Sequence, residues 1–175
     1  MTKIAVLVGS LQQNSINNAV AKTFEKLSEG TLEFEYVDLN LPLFNQDLEA
    51  DVPAEVEKAR EIVENADGVL FVTPEYNRSV TGVIKNAIDW LSRPYGEGVI
   101  IGKKAAIAGA TWSPLGTAAA QAELRNIVGY LNMHLMGQPE FYLSVTPDTF
   151  GEDGLLKDTA FAKTYIDAVA AFMAE

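Results

Sequence analysis

Short runs of residues that are apolar on both faces recur along this chain and constrain its fold more than any other feature. Residues 4–8, 68–73 and 105–109 hold almost no polar side chain at either alternating position. A strand can be apolar on both faces only where both faces of its sheet are covered. The pattern is therefore typical of a parallel sheet between two layers of helices.

Two further segments complete the predicted strands. Residues 32–37 alternate apolar and acidic side chains, which indicates an edge or half-exposed strand, and residues 133–143 hold the last strand, which 137–139 could interrupt. Amphipathic helical stripes separate the strands, so each crossover is right-handed and the sheet is doubly wound. We expect one domain over residues 1–175, a three-layer α/β/α fold with a five-stranded parallel sheet in the flavodoxin-like order 2-1-3-4-5.

Composition excludes several classes of function. The net charge is -11, from 24 Asp+Glu against 13 Lys+Arg, which argues against a nucleic-acid partner. No apolar run approaches the roughly 18 residues of a membrane span, and the amino terminus leads directly into a strand, so we expect neither a membrane segment nor a signal peptide. With no cysteine and one histidine, a Cys or His metal site is not expected, and cytoplasm is the expected location.

The loops that follow the first, third and fourth strands are the predicted ligand site, because ligands of such sheets bind beyond the carboxyl ends of the strands. The first loop, residues 9–17, is rich in hydroxyls and amides. Ser10 and Ser15 can donate to phosphate oxygens beside free N–H groups at a helix N-terminus. The loop lacks the spacing of dinucleotide and nucleoside triphosphate motifs, which favours a terminal monophosphate. The alternative is a polar turn in which Ser15 caps the helix.

The second loop, residues 73–79, combines groups that a flavin requires. Pro74 stiffens the exit from the strand, and Glu75, Tyr76 and Asn77 add an acid, a flat apolar face and an amide. A flavin needs a wall for its ring and hydrogen-bonding groups for its pyrimidine edge. In the helix that follows, Ile84, Ile88 and Trp90 are predicted to be core residues.

The third loop, residues 110–117, contains small and hydroxylic residues that would let backbone approach a ring closely. Three roles stay open for Trp112: covering the ring, covering the nicotinamide site, or packing at a subunit contact. For His134 we expect a place in the core or at a subunit contact.

Two segments together resemble the signature of the NADPH-dependent FMN reductase family, which includes quinone, chromate and azo-dye reductases. They are Pro74-Glu75-Tyr76-Asn77 and, downstream, Lys85-Asn86-Ala87-Ile88-Asp89-Trp90. Gly9-Ser10-Leu11 with Ser15 and Asn17 resembles the family's phosphate loop, and residues 111–117 with Leu124-Arg125 resemble its third flavin loop and fourth helix. The resemblance implies a flavodoxin-like fold, non-covalently bound FMN, NADPH or NADH as hydride donor, and a homodimer or homotetramer.

The chain departs from the family at two positions. The family often has a basic residue where this chain has Gln12, and a proline where it has Thr81. Binding of phosphate would therefore rest on neutral donors and helix amides, while Thr81 is available as an N-cap.

The resemblance implies a two-electron reductase that takes hydride from NAD(P)H and reduces a small-molecule acceptor: a quinone, an azo compound, a flavin or a metal oxyanion. We assign no acid–base residue, because the flavin performs the chemistry. The expected cofactor-binding residues are Ser10, Gln12, Ser15, Ile16, Asn17, Pro74, Glu75, Tyr76, Asn77, Thr111, Trp112 and Ser113. The alternative is a flavodoxin-like electron carrier that does not oxidise NAD(P)H directly; a cofactor-free phosphate-binding domain is a third reading.

Overall fold

A computed structural model describes the whole chain, Met1–Glu175. The strands are β1 (Thr2–Val8), β2 (Leu32–Tyr36), β3 (Gly68–Val72), β4 (Lys104–Thr111), β5 (His134–Leu135) and β6 (Phe141–Ser144). The helices are α1 (Ile16–Leu27), α2 (Ala54–Glu64), α3 (Gly82–Leu91), α4 (Ala118–Tyr130) and α5 (Ala160–Ala174). Strands and helices alternate along the chain as the sequence predicts.

All strand pairs are parallel, in the order β2-β1-β3-β4 followed by the last strand position. The flavodoxin-like order 2-1-3-4-5 is thus confirmed. The last position is shared by two short strands, since β5 pairs with the start of β4 and β6 pairs with its end. The gap between them contains Pro139, which has no N–H to donate to a ladder. β2 lies at the edge of the sheet and is half-exposed, as its alternating pattern predicts.

The two faces of the sheet bury separate cores. α1 and α5 cover one face, where Phe24 and Tyr165 are fully buried, and α2, α3 and α4 cover the other, where Val63 and Leu124 are fully buried. Neighbouring residues of β3 alternate between the two cores, with Leu70 in the first and Phe71 in the second. This explains why the central strands are apolar at every position. No helix is long and apolar enough to cross a membrane.

The register brings the ends of the central strands to one edge of the sheet. Val8 at the end of β1 lies beside Val72 at the end of β3, and Val72 lies beside Ala108 of β4. The first, second and third loops begin at this edge, so their neighbourhood follows directly from the parallel topology.

Candidate functional site

Backbone hydrogen bonds continue the sheet into the loops. Gly9 N donates to Val72 O at 2.9 Å, and Thr73 N donates to Ala108 O at 2.9 Å. A Cβ on Gly9 would lie 2.5 Å from Ile84 Cδ1, so only glycine lets the first loop approach the start of α3 this closely. The three loops therefore meet at one place, as predicted.

The first loop leaves its backbone donors free. Leu11, Gln13, Asn14 and Ser15 have N–H groups that make no hydrogen bond within the chain. Ser15 is confirmed as the N-cap of α1, because its Oγ accepts from Asn17 N at 3.2 Å and Asn18 N at 3.4 Å. Free N–H groups at the positive end of a helix dipole form a ready anion site. The arrangement can therefore accept a phosphate group.

Two side chains of the first loop still have donor capacity. Ser10 Oγ accepts from Gln12 N at 3.3 Å, and the hydroxyl protons of both Ser10 and Ser15 remain available. Gln12 is exposed, and Ile16 is half-buried as the first residue of α1. A cavity of about 400 Å³ opens on the β2 side of this loop, lined in part by Ser10, Gln12 and Tyr36.

The side chain of Asn17 is used elsewhere. Its Nδ2 donates to Ala110 O at 2.9 Å and its Oδ1 accepts from Ala110 N at 2.9 Å. Both ends of the amide thus hold the start of α1 against the end of β4, and the residue is 1% exposed. The sequence predicts Asn17 as a phosphate ligand, whereas this paired bond makes it a brace between the first and third loops.

The second loop is a tight hairpin. Tyr76 and Ser79 exchange backbone hydrogen bonds of 3.2 and 3.0 Å, and Asn77 and Arg78 between them have φ values of 53° and 67°. Two successive left-handed residues are typical of a type I′ turn. The hairpin turns Tyr76 outward, where it is 53% exposed, while Pro74 is buried at the strand end.

Glu75 points away from the hairpin tip and caps α4. Its Oε2 accepts from Ala119 N at 2.9 Å and from Ala120 N at 3.1 Å, and its side chain is only 5% exposed. α4 lacks a cap of its own, because Thr117 at its start has φ 73° and makes no side-chain cap bond. The carboxylate predicted to line a flavin ring is therefore engaged at a helix N-terminus, where a negative charge is favoured.

The third loop folds on its own hydroxyls. Ser113 N donates to Thr111 Oγ1 at 3.3 Å, and Leu115 N donates to Ser113 Oγ at 3.3 Å. Gly116 has φ 57°, and a Cβ there would lie 3.0 Å from Tyr142, so the loop requires glycine at this position. Trp112 is 63% exposed, which leaves its ring free for a ligand or a partner and its three predicted roles open.

The segment from Lys85 to Trp90 holds a different loop in place. Asn86 Oδ1 accepts from Phe44 N at 2.8 Å, and Trp90 Nε1 donates to Pro42 O at 2.8 Å. The Phe44 ring packs edge-on against Trp90 at 5.0 Å. These contacts fasten the chain between β2 and α2 to α3. The predicted core positions are confirmed, with Ile84, Ile88 and Trp90 at 0%, 2% and 0% exposure.

The structure also shows where His134 and Thr81 lie. His134 is exposed at the start of β5, so its expected place in the core is wrong and the subunit contact stays a prediction. Thr81 occupies the N-cap position of α3, but its hydroxyl makes no cap bond. Thr81 Oγ1 is buried without a hydrogen-bond partner and lies against Gly9 of the first loop. The Thr81 hydroxyl is therefore an unpaired polar group within the fold, at the start of the first loop.

Comparison with known proteins agrees with this geometry. The family described as NADPH-dependent FMN reductase matches residues 2–148. A 2-hydroxy-1,4-benzoquinone reductase from Burkholderia sp is 42% identical over 175 residues, covering 98% of this chain and 96% of that protein. An NAD(P)H-dependent FMN reductase from Pseudomonas aeruginosa is 41% identical over 158 residues, covering 89% and 85%.

The solved structure of FerB, a flavoenzyme NAD(P)H:(acceptor) oxidoreductase from Paracoccus denitrificans, superposes with a TM-score of 0.94 at 39% identity, covering 99% of this chain and 98% of that one. The expected cofactors, FMN with NAD(P)H, and the expected oxidoreductase class are confirmed by these matches. The chain belongs to the NADPH-dependent FMN reductase family.

Proposed function

We propose that FMN binds non-covalently at the edge where the three loops meet, with its phosphate on the first loop. The free N–H groups at the start of α1 carry this proposal. A flavin held there would supply two-electron redox chemistry between NAD(P)H and an acceptor. The chain's own residues bind, orient and shield it.

The phosphate would be held by neutral groups. Ser10 and Ser15 would donate their hydroxyl protons, and the free backbone N–H groups of Leu11 and of residues 13–15 would add further donors. The exposed side chain of Gln12 is a further candidate donor. No Lys or Arg lies in the first loop, so the dipole of α1 supplies the positive potential. Asn17 would support phosphate binding indirectly, because its side chain holds the first loop against the end of β4.

The ring would lie against the second and third loops. Pro74, Tyr76 and Asn77 present a rigid backbone, a flat face and an exposed amide on one side. Thr111, Trp112 and Ser113 border the other side. Glu75 supports the ring site indirectly, because its bonds to Ala119 and Ala120 fix the second loop to α4.

Quinones are the acceptors that we propose first, since relatives with 42% and 39% identity are named 2-hydroxy-1,4-benzoquinone reductase and quinone reductase. Azo compounds, flavins and metal oxyanions are proposed as wider acceptors, as an open ring face would admit them. No acid–base side chain is assigned to the reaction, and a cytoplasmic location stays a prediction.

A homodimer or homotetramer is proposed as the assembly. Leu43, Tyr95 and Tyr130 are large side chains that are 81%, 78% and 73% exposed, and a subunit contact would cover them. Tyr95 and Tyr130 also line a cavity of about 630 Å³ between α3 and α4, remote from the first loop. Sedimentation at several protein concentrations tests this, and a monomer throughout would contradict it.

Titration of FMN fluorescence with the protein tests the binding site. Replacing Ser10 by Ala removes a donor to phosphate, and we expect FMN affinity to fall by about ten-fold to a hundred-fold, because a hydrogen bond to a charged group contributes roughly 1.5–3 kcal/mol. Ser92→Ala is the matched control, since the Ser92 hydroxyl bonds to Asp89 O at the far end of α3. Equal affinities for both variants would contradict the placement of the phosphate.

Oxidation of NADH and NADPH by the FMN-loaded protein, with 1,4-benzoquinone as acceptor, tests the activity. We expect turnover that requires FMN, the dinucleotide and the quinone together. An FMN-loaded protein that oxidises neither dinucleotide would overturn the reductase and leave the binding site standing.

A further inference from the structure

Arg78 occupies a backbone position that does not suit an arginine. It is the second residue of the hairpin turn, with φ 67°, where glycine is the usual residue. Asn77 before it tolerates a left-handed conformation well, whereas a long side chain gains nothing from it. The Arg78 side chain is also 67% exposed, so packing does not explain its presence. A strained residue at a site of this kind points to a use for its side chain.

The one ion pair that Arg78 makes is loose. Its Nη1 lies 3.5 Å from Glu75 Oε1, while the other carboxylate oxygen of Glu75 already accepts two hydrogen bonds from α4. Glu123, the other carboxylate at the hairpin, accepts from Val80 N at 3.3 Å. Neither carboxylate forms a bidentate pair with the guanidinium, which has five N–H donors. Because 67% of the side chain is exposed, most of those donors face solvent beside the second loop.

Arg78 is also the one basic residue in the three loops, residues 9–17, 73–79 and 110–117. The whole chain carries a net charge of -11, which repels anions at a distance. Both expected substrate types carry negative charge. NADPH and NADH carry phosphates. A 2-hydroxyquinone is a vinylogous carboxylic acid, so its hydroxyl group is ionised at neutral pH. An anion that approaches the loops meets one cation there.

We propose that Arg78 is a specificity-determining residue, which binds an oxyanion of the substrate as it lies over the FMN. The oxyanion is either a phosphate of the dinucleotide or the ionised hydroxyl oxygen of a hydroxyquinone. A guanidinium can bind two oxygens of a phosphate, or the hydroxyl oxygen and the neighbouring carbonyl oxygen of the quinone, through two N–H groups. The inference rests on the proposed function, because it places the substrate beside the second loop.

Arg78→Gln tests the proposal, with Arg78→Lys as the conservative variant and Lys58→Gln as the matched control. Lys58 is an exposed cation on α2 outside the loops, so its replacement changes the net charge equally. We would measure kcat/KM for NADPH, NADH, 2-hydroxy-1,4-benzoquinone and 1,4-benzoquinone. Calorimetry of NADP⁺ and NAD⁺ with the oxidised, FMN-loaded protein adds a readout without turnover.

The expected result for Arg78→Gln is a loss of about ten-fold for each substrate that carries the bound oxyanion and of less than about two-fold for the others. A selective loss with NADPH and NADP⁺ identifies the 2′-phosphate. Equal losses with both dinucleotides, in kcat/KM and in binding, and none with the quinones identify the pyrophosphate. A selective loss with the hydroxyquinone identifies its ionised hydroxyl oxygen. Arg78→Lys should recover part of the loss, and Lys58→Gln should behave as the unchanged protein.

Other results overturn the proposal. Unchanged constants for all four substrates, an equal loss for all four, or a loss matched by Lys58→Gln would each exclude a specific contact. Weaker binding of FMN by Arg78→Gln would place the side chain on the cofactor. Arg78→Gly relieves the backbone and must show the same selectivity while folding normally. Failure of the unchanged protein to bind FMN would instead remove the proposed function itself.

Discussion

The first and second loops lie side by side, yet they use their polar groups in opposite ways. In the first loop, several backbone N–H groups have no acceptor within the chain, and Ser10 and Ser15 keep their hydroxyl protons available. In the second loop, Tyr76 and Ser79 bond to one another and Glu75 bonds to α4. The first loop is therefore organised toward a ligand, and the second is organised by the rest of the fold.

This difference shows that a polar side chain near a ligand edge is a weak guide to what touches the ligand. Glu75 and Asn17 are the most recognisable polar residues of the two loops, and the side chains of both are engaged in hydrogen bonds within the fold. The free backbone donors of the first loop, by contrast, are not visible as residue types. Substitutions that separate folding from FMN binding can break or sharpen this comparison.

Glu75→Ala should have the largest effect on stability. It removes the carboxylate that caps α4 and leaves two N–H groups without an acceptor, so we expect a loss of about 3 kcal/mol. For a chain of this size that lowers Tm by about 10 °C. Thermal unfolding of the FMN-free protein measures it. Glu152→Ala, an exposed acid in the loop before α5, is the control and should change Tm little.

If Glu75→Ala kept its Tm and lost only FMN affinity, the second loop would be organised toward the ligand after all. The comparison of the two loops would then fail.

Asn17→Ala should cause the second-largest loss of stability. The variant leaves the buried N–H and C=O of Ala110 unpaired, which we expect to cost about 2 kcal/mol. FMN affinity should fall as well, because the first loop is no longer held against β4. Asn18→Ala is the neighbouring control, since the Asn18 side chain makes no such bond. Urea unfolding and FMN titration of both variants check this, and equal behaviour of the pair would exclude the brace.

Much of the fold was accessible from the sequence because its signals are local. Residues 4–8, 68–73 and 105–109 give β1, β3 and β4 through their two apolar faces, and Ser15 caps the helix that directly follows it. Since strand ends of a parallel sheet share one edge, the position of the three loops followed from the same pattern.

The contacts that organise the site were not accessible, because they join distant parts of the chain. Asn17 and Ala110 are separated by 93 positions, and Glu75 and Ala119 by 44. Asn86, a buried amide in an otherwise apolar helix face, was a usable signal that this face holds something polar. The division of the last strand into β5 and β6 depends on what pairs with each end of β4.

Thr81→Val should have a smaller effect, of opposite sign for folding and binding. The Thr81 hydroxyl is buried without a partner against Gly9 of the first loop, so replacing it by a methyl group should stabilise the FMN-free protein by about 1 kcal/mol. If FMN supplies the missing partner, the same variant binds FMN more weakly. Unfolding with and without FMN separates the two effects. A destabilised FMN-free variant would show that the hydroxyl is already satisfied within the fold.

Arg78→Gly should have the smallest effect and concerns the strain in the second loop. Glycine relieves the left-handed backbone, which costs an ordinary residue about 1–2 kcal/mol, but it also gives the unfolded chain more freedom. We expect a net gain of about 0.5 kcal/mol in the free energy of unfolding. Arg78→Ala removes the same charge and keeps the strain, so it should show no gain. If both variants changed stability equally, the charge of Arg78, rather than its backbone conformation, would set the stability of the hairpin.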